Sequence, residues 1–148
     1  MLPLLGLGVL AWSGEQNLGS KAWTSIASSS DGGRLVAGVT GGTTGNLWIS
    51  DNSGATWAEV TPQQGITFNW AAVTSSAGGA NLAAVTNPGR IWTSSDYGVS
   101  WASPPSVPSA PWAAIAGSSD GTKLVAAVTG GNIWTSADSG QTCKHIAT

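Results

Sequence analysis

The sequence contains few charged residues, one cysteine and one histidine. Asp, Glu, Lys and Arg make up 8% of its 148 residues, against about 25% in typical soluble domains. Five basic and seven acidic residues give a net charge of -2, which is too little positive charge for a nucleic-acid or polybasic membrane surface. A lone cysteine excludes an internal disulfide and a cysteine-rich zinc site, and a lone histidine excludes a histidine cluster. We therefore expect no nucleic-acid partner, no metal and no cofactor.

Long hydrophobic runs are also scarce. The apolar segment 1–11 is about half as long as the ~20 residues that a membrane-crossing helix needs, so we predict no transmembrane span. The segment is apolar and ends in the small residues Val9 and Ala11, as in a secretory or lumenal targeting signal, but it lacks the usual positive first region. A retained apolar strand, and a start inside a longer gene product, are the alternatives.

Tryptophan and glycine are abundant, and the tryptophans mark a repeat. The chain has nine Trp and 21 Gly. Three similar tracts each open with a tryptophan, carry another in the middle and close with a third, for which the last tract has Cys143. The tryptophans of the tracts are Trp23, Trp48 and Trp57, then Trp70, Trp92 and Trp101, then Trp112 and Trp134. Trp12 precedes Trp23 by the spacing that separates Trp101 from Trp112, which is typical of the closing strand of an earlier unit.

Each tract predicts four short antiparallel strands, because period-two patterns and short apolar runs alternate with turn residues. In the third unit we expect strands over 112–116, 123–129 and 133–136, and a fourth that ends near residue 147. Units of about 42 to 44 residues match β-propeller blades, for which ~40–45 is typical. A β-sandwich is the rival fold, but it does not require the same residues to recur at fixed spacing.

The turn between the third and fourth strands carries the most specific motif, S-x-D-x-G-x-[ST]-W. It is complete in the second unit, whereas the first has an Asn for the Asp and the third has Cys143 for the Trp. The matching residues are Ser50, Asn52, Gly54, Thr56 and Trp57; Ser94, Asp96, Gly98, Ser100 and Trp101; and Ser136, Asp138, Gly140 and Thr142. The motif resembles the Asp-box, or BNR repeat, of sialidase-like and sortilin-like propellers, xyloglucan-degrading enzymes and a photosystem assembly factor. The resemblance covers residues 21–148.

The residue types of the motif predict a structural turn. A short acidic or amide side chain accepts N–H groups of its own turn, glycine adopts a conformation that other residues avoid, and tryptophan covers the hairpin. The resemblance likewise implies that these turns lie at the outer edge of blades, away from the axis where substrates bind. A calcium loop would need more carboxylates than one turn offers. We therefore predict no catalytic, cofactor-binding or metal-binding residue among them.

The resemblance to sialidases suggests sialidase activity, but this chain lacks the residues that such an activity needs. Sialidases hold their substrate with three arginines and use a Tyr–Glu pair for attack, whereas this chain has only Arg34 and Arg90. Its one tyrosine, Tyr97, lies in a closing turn. Its two glutamates, Glu15 and Glu59, occupy no repeated position. We predict no sialidase activity.

The remaining chemical groups also favour structural roles. A xyloglucanase-type hydrolase needs two carboxylates across a cleft, but Asp31 and Asp120 each precede glycine at one repeat position, where a hairpin turn explains them. We interpret His145 as a polar residue of a terminal strand. We interpret Cys143 as a small buried filler, with an intermolecular disulfide or redox role as the alternative. The tryptophan columns fit blade packing better than sugar stacking, and we predict that the chain is not an enzyme.

The predicted fold is all-β, a β-propeller-like array of about three four-stranded antiparallel blades with Asp-box turns. Residues 1–20 are predicted to form an apolar leader and the closing strand of a preceding blade. The three blades are expected over about 21–66, 67–109 and 110–148. Since propellers have about four to eight blades, this array is incomplete as a single closed ring. We therefore expect one or more protein partners, or a second copy, to cover the open blade edge.

The function predicted from these features is that of a non-catalytic structural or protein-interaction scaffold, a subunit of a larger assembly. Low charge, the apolar leader and the resemblance favour an extracytoplasmic site, secreted or in an organelle lumen. The resemblance to the photosystem factor makes the thylakoid lumen a specific case. The alternative is a secreted carbohydrate-binding module, or a fragment of an Asp-box glycoside hydrolase, with a glycan as ligand.

Overall fold

The structure is a computed structural model that describes residues 18–41, 46–63 and 68–146. The expectations for Val9, Ala11, Trp12 and Glu15 lie outside these ranges. Within them the chain forms β-strands and no helix: β1 (Trp23–Ser28), β2 (Leu35–Val39), β3 (Leu47–Ser50), β4 (Ala58–Val60), β5 (Trp70–Ser75), β6 (Leu82–Thr86), β7 (Ile91–Ser94), β8 (Trp112–Gly117), β9 (Leu124–Val128), β10 (Ile133–Ser136) and β11 (Lys144–His145). Accordingly, no helix in the described part of the chain is long and apolar enough to cross a membrane.

The strands form three antiparallel sheets in chain order. Sheet 1 has the order β1-β2-β3-β4, sheet 2 has β5-β6-β7, and sheet 3 has β8-β9-β10-β11. Four-stranded sheets were expected in every unit, but in sheet 2 the fourth position is a single bridge between Thr93 and Ala102. Pro104 and Pro105 follow almost at once, and proline has no N–H to continue a ladder. The fourth strand of this unit therefore ends after one residue pair.

The three sheets share one register, which places equivalent residues on equivalent faces. The opening tryptophans Trp23, Trp70 and Trp112 pair with Val39, Thr86 and Val128, and each pairing is followed by the same register shift. Such an irregularity is the mark of a β-bulge, which re-aims the neighbouring side chain. We call the face of each sheet that carries the opening tryptophan its leading face, and the opposite one its trailing face.

The core lies between the sheets. The trailing face of sheet 1 packs on the leading face of sheet 2 through the cluster Val36, Leu47, Trp70, Val73, Leu82, Ala84 and Trp92. The trailing face of sheet 2 packs on the leading face of sheet 3 through Ala83, Val85, Ile91, Val107, Trp112, Ile115, Leu124 and Ala126. The opening strands β1, β5 and β8 are neighbours along the stack. Small residues of the second strands allow this approach, since a Cβ at Gly38 would lie 3.0 Å from the Cβ of Trp70.

Candidate functional site

The closing turns are hydrogen-bonded networks built around one buried serine. In the second turn, the Ser94 hydroxyl donates to Asp96 Oδ1 at 2.8 Å and accepts the Gly98 N–H at 2.9 Å. Asp96 also accepts the N–H of Ser100 at 2.9 Å and its hydroxyl at 2.5 Å. The Trp101 indole N–H donates to the Gly98 carbonyl at 3.0 Å. The turn is thus held by its own side chains.

The first and third closing turns repeat this network. The Ser50 and Ser136 hydroxyls each accept the N–H of the turn glycine, Gly54 or Gly140, at 2.9 Å. Asn52 Oδ1 accepts the Thr56 N–H at 2.8 Å, and Asp138 Oδ1 accepts the Thr142 N–H at 2.9 Å. Trp57 is half-buried beside its turn. The structure therefore brings together the residues of each motif within its own turn, and not in a shared cleft.

Cys143 lies where the first two units have a closing tryptophan. It is half-buried and packs against the core between sheets 2 and 3. Its thiol lies 3.9 Å from the Gly140 carbonyl, the group that corresponds to the acceptor of the Trp101 indole. Burial, and secondarily the negative charge of Asp138, raise the pKa of the Cys143 thiol. A thiol with a raised pKa is a poor nucleophile at neutral pH.

Four aspartates are held in the ionised form by their own turns. Hydrogen bonds from Ser100, Ser118 and Thr142 are the largest causes that lower the pKa of Asp96, Asp120 and Asp138, respectively, to about 2. The pKa of Asp31 is lowered chiefly by the hydroxyl of Ser29. A glycosidase acid needs a raised pKa to deliver its proton. These four carboxylates are therefore poorly suited to that role.

The remaining sequence candidates lie apart from one another. His145 is exposed on β11, with its ring 5.3 Å from that of Trp134. Glu59 accepts the side-chain N–H of Asn46 at 2.7 Å. Arg90 donates to the Val107 carbonyl at 3.4 Å. Among the residues that the structure describes, no group of three His, Cys, Asp or Glu side chains could hold a metal ion.

The leading face of sheet 1 is the first of two open apolar faces. Trp23 is 41% exposed and Ile26 is 65% exposed. Their equivalents in the other two sheets are almost fully buried: Trp70 at 0%, Trp112 at 0%, Val73 at 6% and Ile115 at 9%. Trp23 makes an edge contact with Trp48, whose ring lies 4.8 Å from Lys21 Nζ. Among the described residues, the side chains that would meet a preceding sheet are thus in place and exposed.

The trailing face of sheet 3 is the second open face. Val125 is 42% exposed and Ile133 is 49% exposed. Their equivalents are buried in the two internal joints: Val36 at 2%, Ala83 at 2%, Leu47 at 0% and Ile91 at 3%. The sequence predicts an open blade edge, and the structure shows that the exposed apolar side chains lie on sheet faces. Comparing the aligned apolar columns of the three units could have identified these residues.

A groove at the outer rim crosses the joint between sheets 1 and 2. It has a volume of about 330 Å³ and is lined by residues that include Arg34, Asp51, Thr56, Trp57 and Tyr97. The guanidinium carbon of Arg34 lies 4.0 Å from the centre of the Tyr97 ring. Tyr97 has a φ of +62° where the other closing turns have a serine. A bulky residue is rarely found in this conformation, and sequence reasoning gave it no role.

Comparison with known proteins identifies the fold. No family model and no curated protein matches the chain. YCF48 from Cyanidioschyzon merolae is 17% identical with a TM-score of 0.65, over 84% of this chain and 37% of that one. Another YCF48 structure, with a bound D1 peptide, is 19% identical with a TM-score of 0.67, over 84% and 40%.

Two further similar structures come from different kinds of protein. The GH74 enzyme of Niastella koreensis is 19% identical with a TM-score of 0.64, over 83% of this chain and 17% of that one. The β-propeller domain of Cps50 (Swd1) from Myceliophteria thermophila is 15% identical with a TM-score of 0.64, over 87% and 39%. The described sheets form an incomplete β-propeller. The predicted all-β fold is thereby confirmed. The chain spans less than half of the length of each of these structures.

Proposed function

We propose that the chain is a non-catalytic scaffold, a structural subunit whose two open faces are covered by protein in a larger assembly. The observation that carries this proposal is the exposure of Trp23 and Ile26, at 41% and 65%, in columns that are buried at both internal joints. Contiguous exposed apolar surface in a soluble protein marks an interaction site. The motif residues of the closing turns, which we assign to the Asp-box family, hold the sheets that present these faces.

The absence of catalysis is part of this proposal. Asp31, Asp96, Asp120 and Asp138 have lowered pKa values and bond within their own turns. Glu59, the glutamate among the described residues, bonds to Asn46 on an exposed strand. A hydrolase would need an acid and a base or nucleophile facing each other across a substrate. These five carboxylates are instead engaged within their own turns or with Asn46, which supports a scaffold over an enzyme.

We also propose an extracytoplasmic or lumenal site for this scaffold. The low charge of the chain and its apolar segment 1–11 support this location. The thylakoid lumen is its specific form, supported by the similarity to YCF48, which binds a D1 peptide in one of its structures. Fractionation of the native source tests the location: recovery of the chain with cytoplasmic proteins would contradict it.

Site-specific photo-crosslinking tests the scaffold function. A photoreactive residue at position 26 would sit on the open face of sheet 1, and a matched variant at position 99 would sit on the exposed second closing turn. In the native source, the residue at 26 should attach one defined polypeptide, which mass spectrometry would identify. The residue at 99 should not attach it. The same diffuse products from both positions would contradict a protein-covered face.

The rim groove favours a second candidate function, the binding of a carbohydrate. Trp57 and Tyr97 offer aromatic rings, and Asp51, Thr56 and Arg34 offer polar groups around them. Such a mixture suits a ligand with one apolar and one hydroxyl-rich face. Titration of oligosaccharides against tryptophan fluorescence tests this function. Binding that Tyr97→Ala abolishes would support it, provided that Ile146→Ala, at an exposed position outside the groove, preserves binding. No fluorescence change with any glycan would contradict it.

A further inference from the structure

The two open faces of the chain are complementary to each other. The leading face of sheet 1 carries the columns that are buried on sheets 2 and 3, and the trailing face of sheet 3 carries the columns that are buried on sheets 1 and 2. A trailing face that meets a leading face is the joint that this chain already makes twice. One molecule therefore carries both surfaces that a third joint of this kind needs, namely one trailing face and one leading face.

Backbone hydrogen bonds run from sheet to sheet in one direction and stop at the open faces. The Ser30 N–H donates to the Ala77 carbonyl at 2.9 Å, and the Ala77 N–H donates to the Ser119 carbonyl at 2.6 Å. These residues are equivalents in the first hairpin turns of the three units. Within the described ranges, the Ser119 N–H and the Ser30 carbonyl have no partner. They are the donor and the acceptor that one more joint would connect.

The outermost strands of the two faces carry opposite charges, although Lys21 also lies beside Trp48 on the leading face of sheet 1. Lys144 pairs with Thr135 in sheet 3 and shares its trailing face, whereas Glu59 pairs with Trp48 in sheet 1 and shares its leading face. Both lie on the outermost strand of their sheet. A trailing face placed against a leading face would bring a lysine and a glutamate to the same end of the joint. Complementary charge of this kind fixes the register of an interface.

We propose that two copies of this chain join head to tail, each trailing face of sheet 3 closing on the leading face of sheet 1 of the other copy. The proposal rests on the proposed function, because it names the protein that covers the open faces. Three sheets from each copy make a ring of six, within the range of about four to eight blades in β-propellers. A two-fold axis makes the two new joints identical. The other occupants, a different protein or further blades of a longer chain, are outcomes of the test.

Engineered disulfides test this joint. In a Cys143→Ser background, Ser30→Cys and Ser119→Cys place one cysteine at each end of the hydrogen-bonded series. If the inferred joint matches the internal ones, the two thiols from different copies are close enough for a disulfide under mild oxidation. The matched control is Ser30→Cys with Ala77→Cys, which lie at the internal joint between sheets 1 and 2 and should form a disulfide within one chain.

The expected product is a species of twice 14.8 kDa on a non-reducing gel, with the same mass for the unmodified protein by light scattering. A monomeric mass without cross-linking would overturn the proposal. A ladder of trimers and larger species would also overturn it, because head-to-tail contacts that do not close form open filaments.

A substitution on the leading face provides an independent measurement. Ile26→Asp places a charge at an exposed position of the monomer, so the fold should survive, but it buries that charge in the proposed joint. We expect a folded monomer by circular dichroism and light scattering, whereas Val99→Asp at the rim should remain a dimer. A dimer with Ile26→Asp would overturn the proposal. If the purified chain is monomeric while position 26 cross-links to a different polypeptide in the native source, this inference fails and the scaffold function stands.

Discussion

Replacing Ile115 with alanine should weaken the packing between sheets 2 and 3 and so destabilise the protein. Ile115 is 9% exposed and belongs to the cluster that includes Val85 and Trp112. The substitution removes about three methylene equivalents, which are worth ~2.4 kcal/mol at about 0.8 kcal/mol each. The residual cavity adds to this loss, and substitutions of this type cost about 2–5 kcal/mol in all. We expect the free energy of unfolding to fall by ~3 kcal/mol.

Urea denaturation followed by tryptophan fluorescence measures this loss, with the slope of the transition expected to stay unchanged. Val99→Ala is the control, because Val99 is 83% exposed on the second closing turn and its truncation should change the free energy by no more than about 0.5 kcal/mol. Both proteins must be compared at one concentration, since association stabilises the folded state. A loss for Ile115→Ala as small as that of the control would refute the stacking of sheets 2 and 3.

Three further predictions concern the turns. Gly98→Ala should destabilise the protein more than Gly41→Ala in urea denaturation, because both have a positive φ but only at Gly98 would a Cβ collide with Ile49; equal losses would contradict the packing of this turn. Ser94→Ala should lower the free energy of unfolding by about 1–3 kcal/mol by leaving a buried N–H unpaired, and an unchanged midpoint would contradict that network. The hydrogen bonds of the turns depress the pKa values of Asp31, Asp96, Asp120 and Asp138 in the folded state. Stability should therefore be retained above about pH 4 and fall towards pH 2. Unfolding curves that do not change over this range would contradict these hydrogen bonds.

The fold could be predicted from the sequence because its signals are local and repeated. The tryptophan columns and the glycine-containing turns set strand bounds that agree with the structure to within a few residues, as in the third unit, where 112–116 is expected and Trp112–Gly117 is found. Each unit supplies the same evidence independently. Because the three units agree, the face of each strand that packs in the core can be predicted before any contact is known.

The candidate site could be predicted only in part, because it depends on contacts between units. The open edge was expected, but the exposure of Ile26 and Ile133 on sheet faces follows from the direction in which the sheets stack. The contact of Arg34 with Tyr97 likewise joins residues of two sheets at the rim. The single bridge at Ala102 depends on how far pairing continues before Pro104. None of these contacts leaves a periodic pattern in one unit.

The measurement that tests the central claim most directly is hydroxyl-radical footprinting of the assembly isolated from its native source. The claim is that the two open faces are covered by protein in use. Trp23 should then be protected as strongly as Trp70 and Trp112, which are 0% exposed, while Tyr97, which is 44% exposed, should be oxidised. Oxidation of Trp23 to the same extent as Tyr97 would show a face that is open in the native state and would contradict the account.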